Sequence, residues 1–392
     1  MNPPQRIYLD NAATSWPKPG VVYDAVDHYQ RNVGAPAGRA AYSDAQAAQR
    51  TVDNARAACA ELLGVSDPRQ IVFTSNGTDA LNLALHGLLG PGDHVIATVC
   101  DHNSVLRPLQ AQAEVNQVDT TYVGCDADGY VDPDDIRSAL QSNTRLVTLS
   151  HASNVTGALQ SVDEITRIAH EGEALVLLDA AQTAGHLPID VQRLEVDLLA
   201  TGGHKGLLGP LGTGLLMVRP GVEDRLKTIR QGGTGTQSQS DSQPAAMPER
   251  FEVGNLNVPA LAGLAAAAQF LRQPSGTEIQ GHVQQLTRRL IEGLQSIEEI
   301  RVYGPSAESE RVGVVSIAVR DFDPQEFAAA LDASSQIQCR AGLHCAPRMH
   351  AALQTDRLGG LVRFSPGWAT TPEQIETTLQ TIEAVASTVA KR

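Results

Sequence analysis

The chain is short of three residue types. Aromatic side chains make up 4% of its 392 positions, cysteine occurs five times, and lysine stands only at Lys18, Lys205, Lys227 and Lys391. No run approaches the ~20 apolar residues that a membrane helix needs, so no membrane partner is expected. Basic residues are outnumbered, Lys+Arg 30 against Asp+Glu 44, for a formal charge of −14. That sign repels phosphate backbones, and few aromatics leave few platforms for unpaired bases, so nucleic acid is not expected as a partner. The cysteines (Cys59, Cys100, Cys125, Cys339, Cys345) are odd in number and far apart, which excludes a disulfide framework. No His/Cys cluster has metal-ligand spacing, and no metal is expected. The opening Met1–Arg6 lacks the charged-then-apolar pattern of a secretory signal, and a cytoplasmic protein is expected.

What is present is an ordinary globular composition, 42% hydrophobic and 19% charged, with Gly 34 and Pro 21. The length exceeds what one core usually serves, so two domains are expected, 1–258 and 259–392, with the N-terminal segment packed toward the second. Between residues 70 and 218, short apolar β-rich runs alternate with helical patterns. The runs are Ile71–Thr74, Val95–Val99, Thr120–Val123, Leu146–Leu149, Leu175–Leu178, Leu198–Thr201 and Gly214–Val218. Such alternation predicts an α/β fold: a mainly parallel sheet with helices on both faces, followed by a smaller C-terminal α/β unit. Residues 232–248, rich in Gly, Ser, Gln and Thr, read as a long functional loop. Helices are predicted over 260–271, 278–297, 324–332 and 372–389, with strands near 314–319 and 361–364.

Chemistry-bearing residues fall at the ends of the predicted strands, where open α/β sheets bind ligands. The strongest segment is Thr201-Gly202-Gly203-His204-Lys205-Gly206. A lysine bracketed by glycines behind an apolar strand can be desolvated, which lowers its pKa and frees an amine for Schiff-base chemistry. Asp179, closing Leu177-Leu178-Asp179-Ala180-Ala181-Gln182, is a carboxylate on a strand buried on both faces and needs a cation. A protonated pyridine nitrogen is one such cation. Thr74-Ser75-Asn76-Gly77-Thr78-Asp79 joins a strand to a helix and offers free amides and a hydroxyl to phosphate. His102, in Asp101-His102-Asn103-Ser104, and Asn154, in His151-Ala152-Ser153-Asn154, end two further strands. Each of these, taken alone, could be a capped turn.

Their order is more specific: phosphate turn, His, Asn, Asp with Gln three later, then Lys. This constellation resembles the fold type I pyridoxal 5'-phosphate (PLP) enzymes of the class V aminotransferase family. With Cys339-Arg340-Ala341-Gly342-Leu343-His344-Cys345-Ala346-Pro347 it resembles the group II cysteine desulfurases. The likeness runs from Tyr8-Leu9-Asp10-Asn11-Ala12-Ala13-Thr14 to Val362-Arg363-Phe364-Ser365-Pro366-Gly367. It implies Lys205 as the lysine bonded to PLP and Asp179 as partner of the ring nitrogen. Gln182 and Asn154 would lie by the ring oxygen, and His102 would stack on the ring. Gly77, Thr78, Thr201 and His204 would hold phosphate, with Thr236 reaching the phosphate of a partner subunit. Arg363 would clamp the substrate carboxylate, with Arg340, Asn11 and Asn154 nearby, and Cys345 would accept sulfur. It further implies a homodimer with interface sites, L-cysteine as substrate and L-alanine as product. A persulfide on Cys345 would then pass to a sulfur-acceptor protein.

Two positions depart from the family pattern. Tyr42 or Ala41 stands where a His commonly follows a Gly-Arg pair, and Leu343 stands where many relatives carry a second His before the cysteine. The alternative reading keeps the cofactor but makes Cys345 a bystander, as in another class V enzyme: a selenocysteine lyase, C–S lyase, epimerase or aminotransferase.

Overall fold

The computed structural model describes residues 6–38, 40–237 and 239–388. In chain order its elements begin with β1 (Ile7–Tyr8), α1 (Gly20–Asn32), α2 (Ser43–Leu62), β2 (Ile71–Thr74), α3 (Gly77–Leu88), β3 (His94–Thr98), α4 (Asn103–Asn116) and β4 (Asp119–Val123). There follow α5 (Pro133–Ala139), β5 (Thr144–Ser150), α6 (Val162–Glu171), β6 (Leu175–Asp179), α7 (Val191–Leu194), β7 (Leu198–Gly202) and β8 (Gly214–Val218). The C-terminal part comprises α8 (Val258–Arg272), α9 (Pro274–Gln295), β9 (Ile300–Tyr303), β10 (Val315–Val319), α10 (Pro324–Ser335), β11 (Ile337–Gln338), β12 (Arg340–Gly342), α11 (Pro347–Ala352), β13 (Leu361–Phe364) and α12 (Pro372–Ala386).

Among the described residues, seven strands form the main sheet in the order β2-β8-β7-β6-β5-β3-β4. It is mainly parallel, as the alternation predicts; β8 alone runs against both its neighbours. Leu-Val-Leu-Leu-Asp of β6 is buried throughout because both faces are covered. Val176 and Leu178 enter one core with α2, α6 and α8, while Leu175 and Leu177 enter a second core with α3 and α4. The sequence order of parallel strands reverses between β5 and β3, and the crevice at their C-terminal ends is the topological switch point.

The C-terminal strands form a second sheet, β12-β13-β10-β9, antiparallel throughout, over a third core that includes Phe327, Phe364 and Ile375. Helix α12 starts on a capping box in which Thr371 and Gln374 exchange hydrogen bonds. The predicted end of that helix, Val389, lies outside the described residues. The N-terminal segment joins this unit: β1 pairs in parallel with β11, and Ile7 and Leu9 are buried in its core. Helix α8 packs instead on α1 and α2 in the first core. The sequence reading placed Cys59 in a helix but gave no bounds for α2, which buries small residues (Ala45, Ala48, Val52, Ala55, Cys59) that give little apolar contrast.

Two distant pairs fix the site's surroundings. Arg56 of α2 meets Glu252 in a buried two-pronged ion pair of 2.7 and 2.8 Å, and Glu252 also accepts from the Phe73 amide of β2. From the other side, the 14–18 segment holds the strand end that carries Lys205. Ser15 Oγ donates to the Lys205 carbonyl (2.9 Å), and Lys18 Nζ to the His204 carbonyl (2.7 Å) and to Ser15 Oγ (2.6 Å).

Candidate active site

The strand ends enclose a cavity of about 230 Å³ whose wall includes Gly77, Thr78, His102, Asn154, Asp179, Gln182, His204, Lys205, Arg340 and Arg363. These residues come from the turns after β2, β3, β5, β6 and β7, and from β12 and β13. The sequence reading named all ten. Asn76, Ser104, Ser150, Ala12 and Ala13 also line the cavity and were given no role there.

Lys205 is buried against Asp179 and the Arg363 and Arg340 guanidiniums. Burial is the main cause that lowers its ammonium pKa from 10.5 to about 8, with the two arginines adding to it and Asp179 opposing. A neutral amine is therefore accessible close to neutral pH. Asp179 is pushed the other way by burial, against the pull of the Ala181 amide (2.9 Å) and Lys205. An acid in that setting is stabilised by a cation.

His102 caps α4 with its own ring: the Ser104 amide donates to Nδ1 at 3.0 Å, and Ser104 Oγ lies 2.8 Å from the same nitrogen. Burial and the surrounding cations lower its pKa to about 4, so the ring is neutral at pH 7. With Nδ1 accepting, the proton sits on Nε2. Thr78 Oγ1 bonds to Ser104 Oγ at 2.7 Å, linking the phosphate-type turn to the histidine. His204 is likewise held neutral, at about 4, first by burial and then by Lys205 and Lys18; its buried Nδ1 has no partner. A Cβ on Gly77 would come within 3.0 Å of the Gly202 nitrogen, so glycine lets these two loops close on one another.

Arg363 on β13 is 1% exposed, and its fork is partly used: Nη2 donates to Asp10 Oδ1 (2.8 Å) and Nη1 to the Asn154 carbonyl (3.1 Å). Its Nε is buried without a partner. Beside it, Arg340 Nη2 lies 3.1 Å from Cys345 Sγ. Cys345 sits half-buried on a tight loop in which His344 and Cys345 both take left-handed backbone angles, φ 49° and 58°. The Asn154 side chain donates to the His344 carbonyl (2.7 Å), and the Asn103 amide to the Cys345 carbonyl (2.7 Å). The Cys345 loop is thus pinned at two carbonyls. Asn154 spends its amide nitrogen on that task.

Four sequence-named residues lie off the cavity wall: Cys345, which touches it through Arg340, and three more. Asn11 is buried behind Ala12, with its amide donating to the Ser365 carbonyl and accepting from the Trp16 amide. The Thr201 hydroxyl faces the Ala180 and Gly202 carbonyls at 3.4 Å. Thr236 lies exposed in the 232–248 loop, bonded to Thr234 and bordering a separate recess with Arg56 and Glu252. Neither departure lines the cavity: Tyr42 is 53% exposed, and Leu343, in the Cys345 loop, is 41% exposed; Arg39 lies outside the described residues. Lys18 is the functional-looking residue that sequence reasoning missed. Its rarity was the signal, and its contact with the His204 carbonyl needed the tertiary structure.

The donor set thus combines a desolvated amine, a buried carboxylate, a neutral histidine nitrogen without a partner and two guanidiniums around one cavity. It suits an anionic, aldehyde-bearing ligand with a protonated ring nitrogen, which is the chemistry of PLP.

A family model for aminotransferase class-V matches residues 7–378. A probable cysteine desulfurase of Methanothermobacter thermautotrophicus is 36% identical over 97% of this chain and 94% of its own length. The solved structure of a cysteine desulfurase from Thermococcus onnurineus superposes with a TM-score of 0.91 at 32% identity, covering 98% of this chain and 95% of that one. A cysteine desulfurase from Escherichia coli gives 0.88 at 25% identity over 98% and 95%. The chain belongs to the aminotransferase class-V family, whose members are PLP-dependent enzymes of fold type I. Among the described residues no helix is long and apolar enough to cross a membrane.

Proposed function

We propose that this chain is a PLP-dependent cysteine desulfurase that converts L-cysteine to L-alanine and takes the sulfur onto Cys345 as a persulfide. The observation that carries the reading is Cys345 Sγ 3.1 Å from Nη2 of Arg340, which shares the cavity wall with Lys205 and Arg363. The likeness to named cysteine desulfurases over nearly the full length supports it.

In this reading Lys205, Asp179, Gln182, His102, His204, Gly77 and Thr78 hold the cofactor. Bound there, PLP supplies an aldehyde for the substrate amine and an electron-withdrawing ring that stabilises negative charge at Cα. Lys205 Nζ, its pKa lowered to about 8 by burial, would hold PLP through its aldehyde and, when free and deprotonated, would take the Cα proton. Asp179, a buried carboxylate, would keep the ring nitrogen protonated. Arg363 turns from Asp10 to the substrate carboxylate, for which a guanidinium fork is the matching donor. Arg340 orients Cys345 Sγ, which attacks the substrate sulfur: the S–S bond forms as Cβ–S breaks, and Cβ leaves with the electron pair to become the alanine methyl. The neutral His102 offers Nε2–H as a proton donor within the cavity.

We further read the chain as a homodimer in which the 232–248 loop brings Thr236 to the partner's phosphate, with a sulfur-acceptor protein as second partner. Its two units are 1–258 and 259–392, and the free cysteines suit a reducing cytoplasm. The test is mass spectrometry of the protein after brief exposure to L-cysteine. One added sulfur on the Cys345 peptide, reversed by dithiothreitol and matched by alanine release, is expected. Full turnover by Cys345→Ala in dithiothreitol would make the thiol a bystander.

A further inference from the structure

Two thiols outside the reaction just described meet behind the site. Cys100 follows β3 and Cys125 follows β4, and these strands run in parallel register, with Thr98 opposite Val123. Both cysteines stand two residues beyond that pair, so they leave the sheet side by side. The two sulfurs share one neighbour, each lying 3.7 Å from Met349 Sδ of α11. Neighbouring strands are ~4.8 Å apart, inside the Cα separation a disulfide spans.

The pair is asymmetric. Cys100 is 1% exposed, whereas Cys125 is partly exposed. Hydrogen bonding from Cys100 lowers the Cys125 thiol, while the same contact and burial raise Cys100 well above the ordinary range. Cys125 is therefore the attacking sulfur and Cys100 the resolving one. Of the remaining cysteines, Cys59 and Cys339 are pushed up to about 12 by burial and do not compete.

We propose that Cys100 and Cys125 are a modification site, a dithiol that hydrogen peroxide converts to a reversible disulfide. The Cys125 sulfur attacks a peroxide oxygen; S–O forms, O–O breaks, and the displaced hydroxide takes a proton and leaves as water. The Cys100 sulfur then displaces the second oxygen: S–S forms, S–O breaks, and the Cys100 proton departs with that hydroxide as water. Two thiols are oxidised and one peroxide is reduced to two waters. This site stands whether or not the chain desulfurates cysteine.

The test uses the full chain carrying Cys345→Ala, which removes the thiol beside the cavity, treated with hydrogen peroxide, alkylated in acid and digested. A peptide linking Cys100 to Cys125, with the chain lighter by two hydrogens and restored by dithiothreitol, is expected. The added Cys125→Ser change should leave Cys100 as an alkylatable thiol after the same treatment. Recovery of Cys125 as sulfinic acid with Cys100 still a free thiol would overturn the proposal. So would a two-hydrogen loss that persists in the Cys125→Ser chain.

Discussion

Lys205→Met in cofactor-free protein tests the electrostatic premise of the site without any turnover. Folding carries this amine out of water and lowers its pKa from 10.5 to about 8. Below the folded value both states hold the proton, and the buried ammonium destabilises the native chain by about 3 kcal/mol, at ~1.4 kcal/mol per unit. Between the two values the unfolded chain binds more protons, so native stability rises with pH; above the unfolded value the penalty is gone. Methionine has similar length and no proton, so the variant escapes this titration. Stability of the wild type minus that of Lys205→Met should therefore improve by about 2 kcal/mol between roughly pH 7 and roughly pH 9.5. Urea unfolding of both chains across that range measures it, and titrations common to the two cancel. A difference that stays flat would mean that the amine is solvated in the folded chain, and the argument for a readily available neutral lysine would fall with it.

Three other outcomes follow from the geometry. Glu252→Ala strands Arg56 inside the protein and should cost about 3–5 kcal/mol of stability, read as a lower urea midpoint. Asp179→Asn keeps the shape but loses the charge opposite the ring nitrogen; spectroscopic titration should show PLP affinity falling ~10- to 100-fold, from the ~1.5–3 kcal/mol of a charged hydrogen bond. Arg363→Lys replaces a fork by a point charge, and kcat/KM for L-cysteine should drop at least ~10-fold while PLP absorbance is retained.

Much of the site was legible because its residues sit at the ends of apolar runs. A buried five-residue strand ending in Asp179, or a strand ending in Gly202-Gly203-His204-Lys205, states in one dimension which side chain reaches the sheet's edge. The order of those ends along the chain carried the family likeness. Contacts between segments far apart were not legible. Nothing local says that the Lys18 amine reaches the His204 carbonyl, that Arg363 is paired with Asp10, or that the Asn154 amide is spent on the Cys345 loop. Asn11 and Thr201 look like ligand residues by their neighbours, yet backbone groups claim their polar atoms.

By itself, the sequence determined the alternation that makes the mainly parallel sheet, the polar residues that stand at the strand ends, and a formal charge of −14. Only the tertiary structure decided how far Lys205 is desolvated, which nitrogen of His102 carries the proton, and that Cys100 and Cys125 share Met349. The physical reason is common to all three. Burial and hydrogen-bond partnership belong to space, and a sequence lists neighbours along the chain while a protonation state or a thiol contact is set by neighbours across it.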